Sequence, residues 1–558
     1  MAQFAVLVTH REIIGTEPSL ADLHALLKKY QRREVILILS KLNILLGTWQ
    51  NSPNFDVDEK LSNILLHKHS AHLAELRRSN AKRVIFSRLT LLFLVKQACL
   101  VCDEQGSLVN TPDAQYEIGL GCLMANDLIL PTLPSENDGT LSLLARLLPF
   151  SDYISSDHYA MDIGRSQQLF GKIADSSSMR ARSDFIDIVS LFEHSVGLSY
   201  ETVSMLVFGC MAKFLNITPE HLASPEALVF RQTYFKKSAI DQKTVKKFIQ
   251  KMTIPESALA KKVRESANRP GDDLTVFQAF PLIEIADGLY TCLDPGFLID
   301  KAGRGLYWTL FSELPNDQRG QLASFWGAVF ENYVNLILKE SYKAKGIFIP
   351  EPKFPNGEEA FDACLLESGS LVVFEHKSST IRADAKYGGD VDKLKEQLHL
   401  KFVEGDEEGA KGIAQLGRSI QRFLQGEAIG NISCNDIHTV YPGLVCLDNT
   451  VSVPYMGSYF REQFRSMFPR KKWRKTVTPV FTLNISDVEN LLGYLTKFTM
   501  SDILENYYHE NRSMLTSISS SNVPLLKDAE QDRNCVREWF SEFAKHMEKT
   551  LFPKEAAG

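Results

Sequence analysis

The sequence predicts a helix-rich α+β fold, with a helical N-terminal half followed by a domain built on a mixed sheet with helices packed against it. Apolar positions recur at helical spacing through the first half, at 20–27, 34–47 and 83–101. Short β-branched runs bounded by turn residues are confined to 276–293, 360–377 and 440–483. Between those runs lie two amphipathic helical patterns, at 325–338 and 413–423. With 558 residues, 44% hydrophobic and 23% charged, the chain has globular composition and ample length to bury cores. It divides into a helical segment over 1–170, a mainly helical basic segment with a β-hairpin over 171–310, a sheet-containing domain over 311–500, and a helical C-terminal segment over 501–558.

In the first segment, Ser19 with Asp22 three residues on opens the helix that begins at Leu20. The most hydrophobic stretch, Val84 to Cys102, is interrupted by Arg88 and Lys96 and falls short of a bilayer span, so it reads as a buried helix. The cluster Arg77, Arg78, Lys82, Arg83, Arg88 reads as a solvated helix face, with phosphate contact as the alternative. No basic leader precedes the short apolar run at the N-terminus. Nine scattered cysteines, mostly in apolar runs, fit reduced thiols, and the expected location is cytoplasmic with no membrane association. Cys99 and Cys102 have a zinc-like gap without a second pair.

In the second segment, Thr218-Pro219 and Ser224-Pro225 read as helix starts. Residues 231–269 hold 11 Lys or Arg against three acids, in a chain whose net charge is -6. Basic charge is therefore concentrated there, and Lys246 and Lys247 are candidate phosphate contacts; a solvated helix pair is the alternative. Val276 to Ile285 and Leu289 to Leu293, separated by Ala286-Asp287-Gly288, read as a hairpin.

The third segment carries the chemistry. Leu371-Val372-Val373-Phe374 reads as a buried strand that ends in Glu375-His376-Lys377. Side chains two apart on a strand share a face, which puts Glu375 beside Lys377 and turns His376 away with Phe374. A hairpin through Glu367-Ser368-Gly369-Ser370 pairs this strand with Ala360 to Leu366 and folds Asp362 towards Glu375. Hard divalent cations prefer carboxylate oxygens, so Asp362 and Glu375 suit Mg²⁺, and Lys377 suits orienting or deprotonating a water. The bland alternative is an ordinary strand-end ion pair.

This arrangement resembles the PD-(D/E)xK (restriction-endonuclease-like) nuclease superfamily, whose motif is a strand Asp followed by a strand Glu-x-Lys. Phe361 stands where the motif has proline, and the match is confined to about 325–425. The resemblance implies a mixed-sheet α/β nuclease-like domain, with Glu331 of the preceding helix joining Asp362 and Glu375 as metal ligands. It implies Asp362, Glu375, Lys377 and Gln415 as catalytic residues, Gln415 matching the helix glutamine of RecB-like members. Magnesium is the implied cofactor, with Mn²⁺ as substitute.

On the helix that carries Gln415, Lys411, Arg418 and Arg422 form a stripe suited to a nucleic-acid backbone or simply to water. Val440 to Leu447 and Val477 to Leu483 read as further strands, and Ser486 with Glu489 as a capping box for a helix over Val488 to Phe498. The basic run with Lys471, Lys472, Trp473 and Arg474 suits backbone grip with one stacking ring. Ser513 to Asn522 reads as a linker and Val536 to Leu551 as a closing helix.

ATP-binding, serine-hydrolase, dinucleotide and zincin motifs are all missing from the sequence. The expected function is a metal-dependent nuclease acting on DNA, in a setting such as bacterial anti-phage defence. A protein partner would supply sensing or ATPase function, and a homo-oligomer is compatible with the sequence. The alternatives are a catalytically silent nuclease-like scaffold or interaction protein, and an RNA-directed nuclease.

Overall fold

The apolar run 371–374 lies inside an eight-residue strand at the centre of a six-stranded sheet. In chain order the strands are β1 (Gly346–Pro350), β2 (Ala363–Glu367), β3 (Ser370–Lys377), β4 (Thr439–Cys446), β5 (Thr476–Val477) and β6 (Phe481–Asn484). β2 runs antiparallel to both β1 and β3, whereas β4 is parallel to β3 and pairs in parallel with both β5 and β6 on its far edge. The sheet is therefore mixed, and the chain is an α+β protein. These features belong to a computed structural model. It describes residues 6–47, 54–79, 82–129, 139–152, 159–214, 217–224, 228–266, 273–342, 346–406, 409–468, 475–510, 518, 523–527, 529, 531 and 533–551.

Alternation along β3 sorts its side chains between two cores. Val372 and Phe374 face the Asn316–Ser341 helix, which buries Phe330, Tyr333, Val334 and Ile337. Leu371 and Val373 face the Ile413–Leu424 helix and its Leu416, Ile420 and Phe423. A sheet apolar on both faces must be covered twice, and the helix stripes read from the sequence do the covering.

The first of these cores continues without a break into the N-terminal helices, from Val8 to Val536. Buried polar groups fasten these helices to the sheet core and to one another. Arg165, in the Tyr159–Gln168 helix, donates twice to Glu489 at 2.7 Å, and Tyr333 donates to the same carboxylate at 2.5 Å. Arg88 makes a bidentate pair with Asp294 at 2.7 Å, and Asn43 donates to Asp294 at 2.8 Å. Removing one member of such a pair would strand a buried charge.

Several expectations need correction. Arg77, Arg83 and Arg88 are not a solvated stripe: they pair with Asp58, Glu12 and Asp294. The hairpin in the second segment begins only at Leu282, because Thr275–Ala279 is helical, and it belongs to a four-stranded sheet with Val229–Phe230 and Thr253–Pro255. Those two strands were too short to show a period. Pro219–Ala223 is a 3-10 turn, tighter than the helix expected there. The strand expected over 477–483 is split in two, and the helix after it is Ile485–Leu491, capped by Asn484 with Asp487. Ser486 and Glu489, the expected capping pair, are both buried within it. The segment Lys471, Lys472, Trp473 and Arg474, and all of Ser513 to Asn522 except Ile518, lie outside the described residues.

All nine cysteines are free thiols. Among the described residues no single helix is long and apolar enough to cross a membrane.

The β2–β3 register is set by a two-residue loop, Ser368-Gly369, with Gly369 at φ +77. A Cβ at Gly369 would also meet the His438 ring at 2.9 Å. We expect Gly369→Val to lower stability by about 1–2 kcal/mol or more, because an L side chain is disfavoured at that φ. Urea unfolding checks this, and an unchanged midpoint would show that the turn does not constrain the hairpin.

Candidate metal centre

The hairpin pairs Ala363 with Phe374, and at the bend just before β2 the Asp362 N–H donates to the Phe374 carbonyl at 3.2 Å. Asp362 thus lies beside Glu375 at the strand end, near enough for its charge to act on the Glu375 carboxyl. Its carboxylate also accepts the backbone N–H of His376. Asp362 is held from below by the backbone while its remaining oxygen capacity faces the end of the sheet.

Two more carboxylates meet it there. Glu331 comes from the middle of the Asn316–Ser341 helix, and Glu359 from the loop before β2. One carboxylate oxygen from each of Glu331, Glu359 and Asp362 lies within 4.8 Å of the others. The loop reaches back because Phe354 to Glu358 closes a tight turn: the Phe354 N–H donates to the Glu358 carbonyl at 2.8 Å, and Gly357 takes φ +83. Glu351 borders the same cluster and is one of two non-glycine residues at positive φ among the described residues, at +45.

Like charges this close repel by roughly 3–4 kcal/mol per pair at an effective dielectric near 20. The carboxyls respond accordingly. Burial, then the charges of Asp362, Glu359, Glu351 and Glu375, push Glu331 up to about 8. Burial and Asp362 raise Glu359 to about 7. Three hard oxygen donors whose charge is uncompensated suit a divalent cation.

Glu375 is arranged differently. One of its oxygens accepts from Lys377 Nζ at 2.6 Å and from the Gly412 N–H at 3.3 Å, while the other is buried with no hydrogen-bond partner. Burial and Asp362 raise its pKa. Burial alone would lower the Lys377 ammonium, but Glu375 and Asp362 outweigh it and hold the pKa above its usual value. Lys377 is therefore a charged group, suited to stabilising an anion or orienting water and not to removing a proton. Gly412 is at φ +62, where a Cβ would come within 2.2 Å of the Phe402 carbonyl oxygen, so only glycine delivers this N–H to Glu375.

His376 points to the opposite face, as alternation requires, with Phe330 and Phe374 rings each 6.4 Å away. Burial drives its pKa down to about 4, and neither ring nitrogen has a partner. It is a neutral, packed imidazole.

Glu331, Asp362, Glu375 and Lys377 thus come together at one sheet end, as the sequence predicts. The expected ligand set Glu331, Asp362, Glu375 is adjusted: the third oxygen of the tight cluster is that of Glu359, while Glu375 is engaged by Lys377. Glu359 was missed because it precedes any strand; the signal was the Pro355-Asn356-Gly357 turn, which folds the acid after it back on the chain. Gln415 is half-buried in the first turn of the Ile413–Leu424 helix, one turn on from Gly412.

The basic stripe is mixed. Arg418 is exposed and Lys411 half-buried. Arg422 pairs with Glu358 and Glu427 at 2.7 Å and stacks over Phe354 at 3.8 Å, which fixes it in the structure of the turn before Glu359. Lys246 and Lys247 are exposed on the separate Gln242–Met252 helix, where Lys247 donates to the Gly197 carbonyl at 2.6 Å.

Comparison with family models, with curated proteins and with solved structures gives no match.

Glu331 titrates at about 8 in the folded chain against an ordinary 4.5, so between those values the folded state holds a proton that the unfolded state has released. Stability of the metal-free protein therefore falls as pH rises through this window. A divalent cation needs the deprotonated form and removes the repulsion, so Mn²⁺ should raise the melting temperature more at about pH 8 than at about pH 6. Glu331→Gln should abolish most of that difference in a thermal-shift titration. Equal shifts at both pH values would show that the cluster is not the binding site.

Proposed function

We propose that this chain is a metal-dependent phosphodiester hydrolase of PD-(D/E)xK type that cleaves nucleic acid, DNA in preference to RNA, with bacterial anti-phage defence as its setting and the cytoplasm as its compartment. The observation that carries the reading is the convergence at one strand end of Asp362 and Glu375, with Lys377 paired to Glu375 and two further carboxylates beside Asp362. A structural ion pair needs only Glu375 and Lys377; it does not account for three more acids held in mutual repulsion.

Glu331, Glu359 and Asp362 would hold the cation, and the orphaned oxygen of Glu375 is a further hard donor. Mg²⁺, or Mn²⁺ in its place, would supply a Lewis acid for a phosphoryl oxygen and a more acidic bound water. The chain's own residues do the rest. Lys377 places a fixed positive charge at the strand end, where charge develops on a phosphorane-like transition state. Glu375 holds that ammonium in position, and Gly412 holds Glu375. Gln415, a neutral donor and acceptor, stands one helical turn away to position a water or a phosphate oxygen. Arg418 on the same helix and Lys411 just before it would add positive charge for the backbone.

One observation favours a silent scaffold: the Lys377–Glu375 bridge is closed at 2.6 Å, with only 16% and 1% of the two side chains exposed. Plasmid DNA, linear DNA and RNA incubated with the protein in Mg²⁺, Mn²⁺ or EDTA separate the readings. Asp362→Asn and Glu375→Gln should abolish cleavage with the fold retained, since an amide keeps the shape and loses the charge. Lys377→Ala should lower turnover by roughly 10²-fold or more while Mn²⁺ still binds by calorimetry. Undiminished cleavage by the Asp362 and Glu375 variants, or no metal-dependent cleavage by the wild type, would overturn the proposal.

A further inference from the structure

A cavity of about 930 Å³ opens where β3 and β4 end. Ser378 to Thr380, which directly follow Lys377, form one wall together with Asp448, two residues beyond β4. The helix that carries Glu331 contributes Ala323. Crevices outside the carboxyl ends of parallel strands are where open sheets commonly receive ligands. The volume is that of a site for a small organic ligand or a few units of a polymer.

Its lining has two characters. The Gly305–Glu313 helix supplies Tyr307, Trp308 and Phe311, and Trp308 is 46% exposed although both neighbouring rings meet it edge-on, with centroids 5.3 and 5.7 Å away. A large aromatic surface is thus left open inside a concavity, where water would otherwise cover it. The charged part of the lining is mostly cationic: Lys301, Arg304, Arg382, Lys386 and Lys401 outnumber Asp300, Asp384 and Asp448. Arg304 and Arg382 neutralise Asp300 and Asp384 at 3.3 and 3.0 Å. Lys301 and Lys401 line the same cavity, with Asp448 as the acid outside those two pairs. Burial pushes the Lys301 ammonium down to about 8, which a bound anion would reverse.

A flat π-surface and ammonium groups lining one cavity of this size are complementary to a ring joined to a phosphate. We propose that the cavity binds an unpaired nucleotide unit, the base stacked on Trp308 and the phosphate held by Lys301 and Lys401. The unit is either a free nucleotide or one residue of a single strand led past Lys377. The second source rests on the nuclease reading, whereas the chemistry of the cavity does not.

Binding is measured in EDTA, where no cleavage occurs, by titrating the intact protein with AMP, adenosine, inorganic phosphate and a single-stranded 12-mer, about the length of a one-domain strand site. AMP or the 12-mer should bind at least tenfold more tightly than adenosine or phosphate. Trp308→Ala should weaken that binding by about tenfold or more, within the range for lost base stacking, and Trp308→Phe should restore most of it. Lys401→Glu should weaken AMP and leave adenosine unchanged. Preference for the 12-mer identifies a strand as the source, and preference for AMP a free nucleotide. Phosphate binding as tight as AMP, or Trp308→Ala without effect on either probe, would overturn the proposal. A protein that binds AMP here but never cleaves would sink the nuclease reading alone.

Discussion

The register of the β2–β3 hairpin is the constraint on which the site depends. Side chains alternate with a period of two, so a slip of one residue would turn Glu375 and Lys377 into the core that now holds Phe374 and His376, and would bury charge against the Asn316–Ser341 helix. The register is over-determined. Gly369 closes the turn, Leu371 and Val373 fill one core and Val372 and Phe374 the other, and β4 pairs with all eight residues of β3. That redundancy lets the sheet end tolerate what no isolated strand would, namely two acids and a lysine in nearly dry surroundings.

The second feature is electrostatic. Four carboxyls gather at one sheet end, and the Lys377 ammonium among them is closely held by Glu375. Burial and the neighbouring carboxylates leave Glu331 and Glu359 with elevated pKa values. Clusters of this kind are destabilising unless something positive arrives, and active sites are where proteins retain such a cost. The neutral His376 beneath them adds no charge.

How much of this was legible in the sequence follows from which signals are local. The helix that carries Glu331, the hairpin, and the side-by-side placement of Glu375 and Lys377 rest on periodicity and turn chemistry within a few residues, and all were readable. Glu359 was not: its role depends on where the Pro355-Asn356-Gly357 turn points in space. Gly412 carries no local signal in the sequence, and only its approach to the Phe402 carbonyl shows why no side chain fits there. The arginines at 77, 83 and 88 misled for the same reason. Their partners Asp58, Glu12 and Asp294 are distant in sequence, and a basic residue reads as surface until its acid is found. Arg165 and Glu489, 324 residues apart, bind the helical half to the sheet through a contact that no local pattern announces.

The central claim is that the carboxylates at the sheet end form a metal site. Diffraction from crystals soaked in Mn²⁺, recorded at the manganese absorption edge, tests it most directly. The account predicts an anomalous peak among Glu331, Glu359 and Asp362, about 2.0–2.3 Å from their oxygens, and lost in Asp362→Asn crystals. Manganese bound elsewhere, or no peak at the cluster while the soaked protein cleaves nucleic acid, would contradict it.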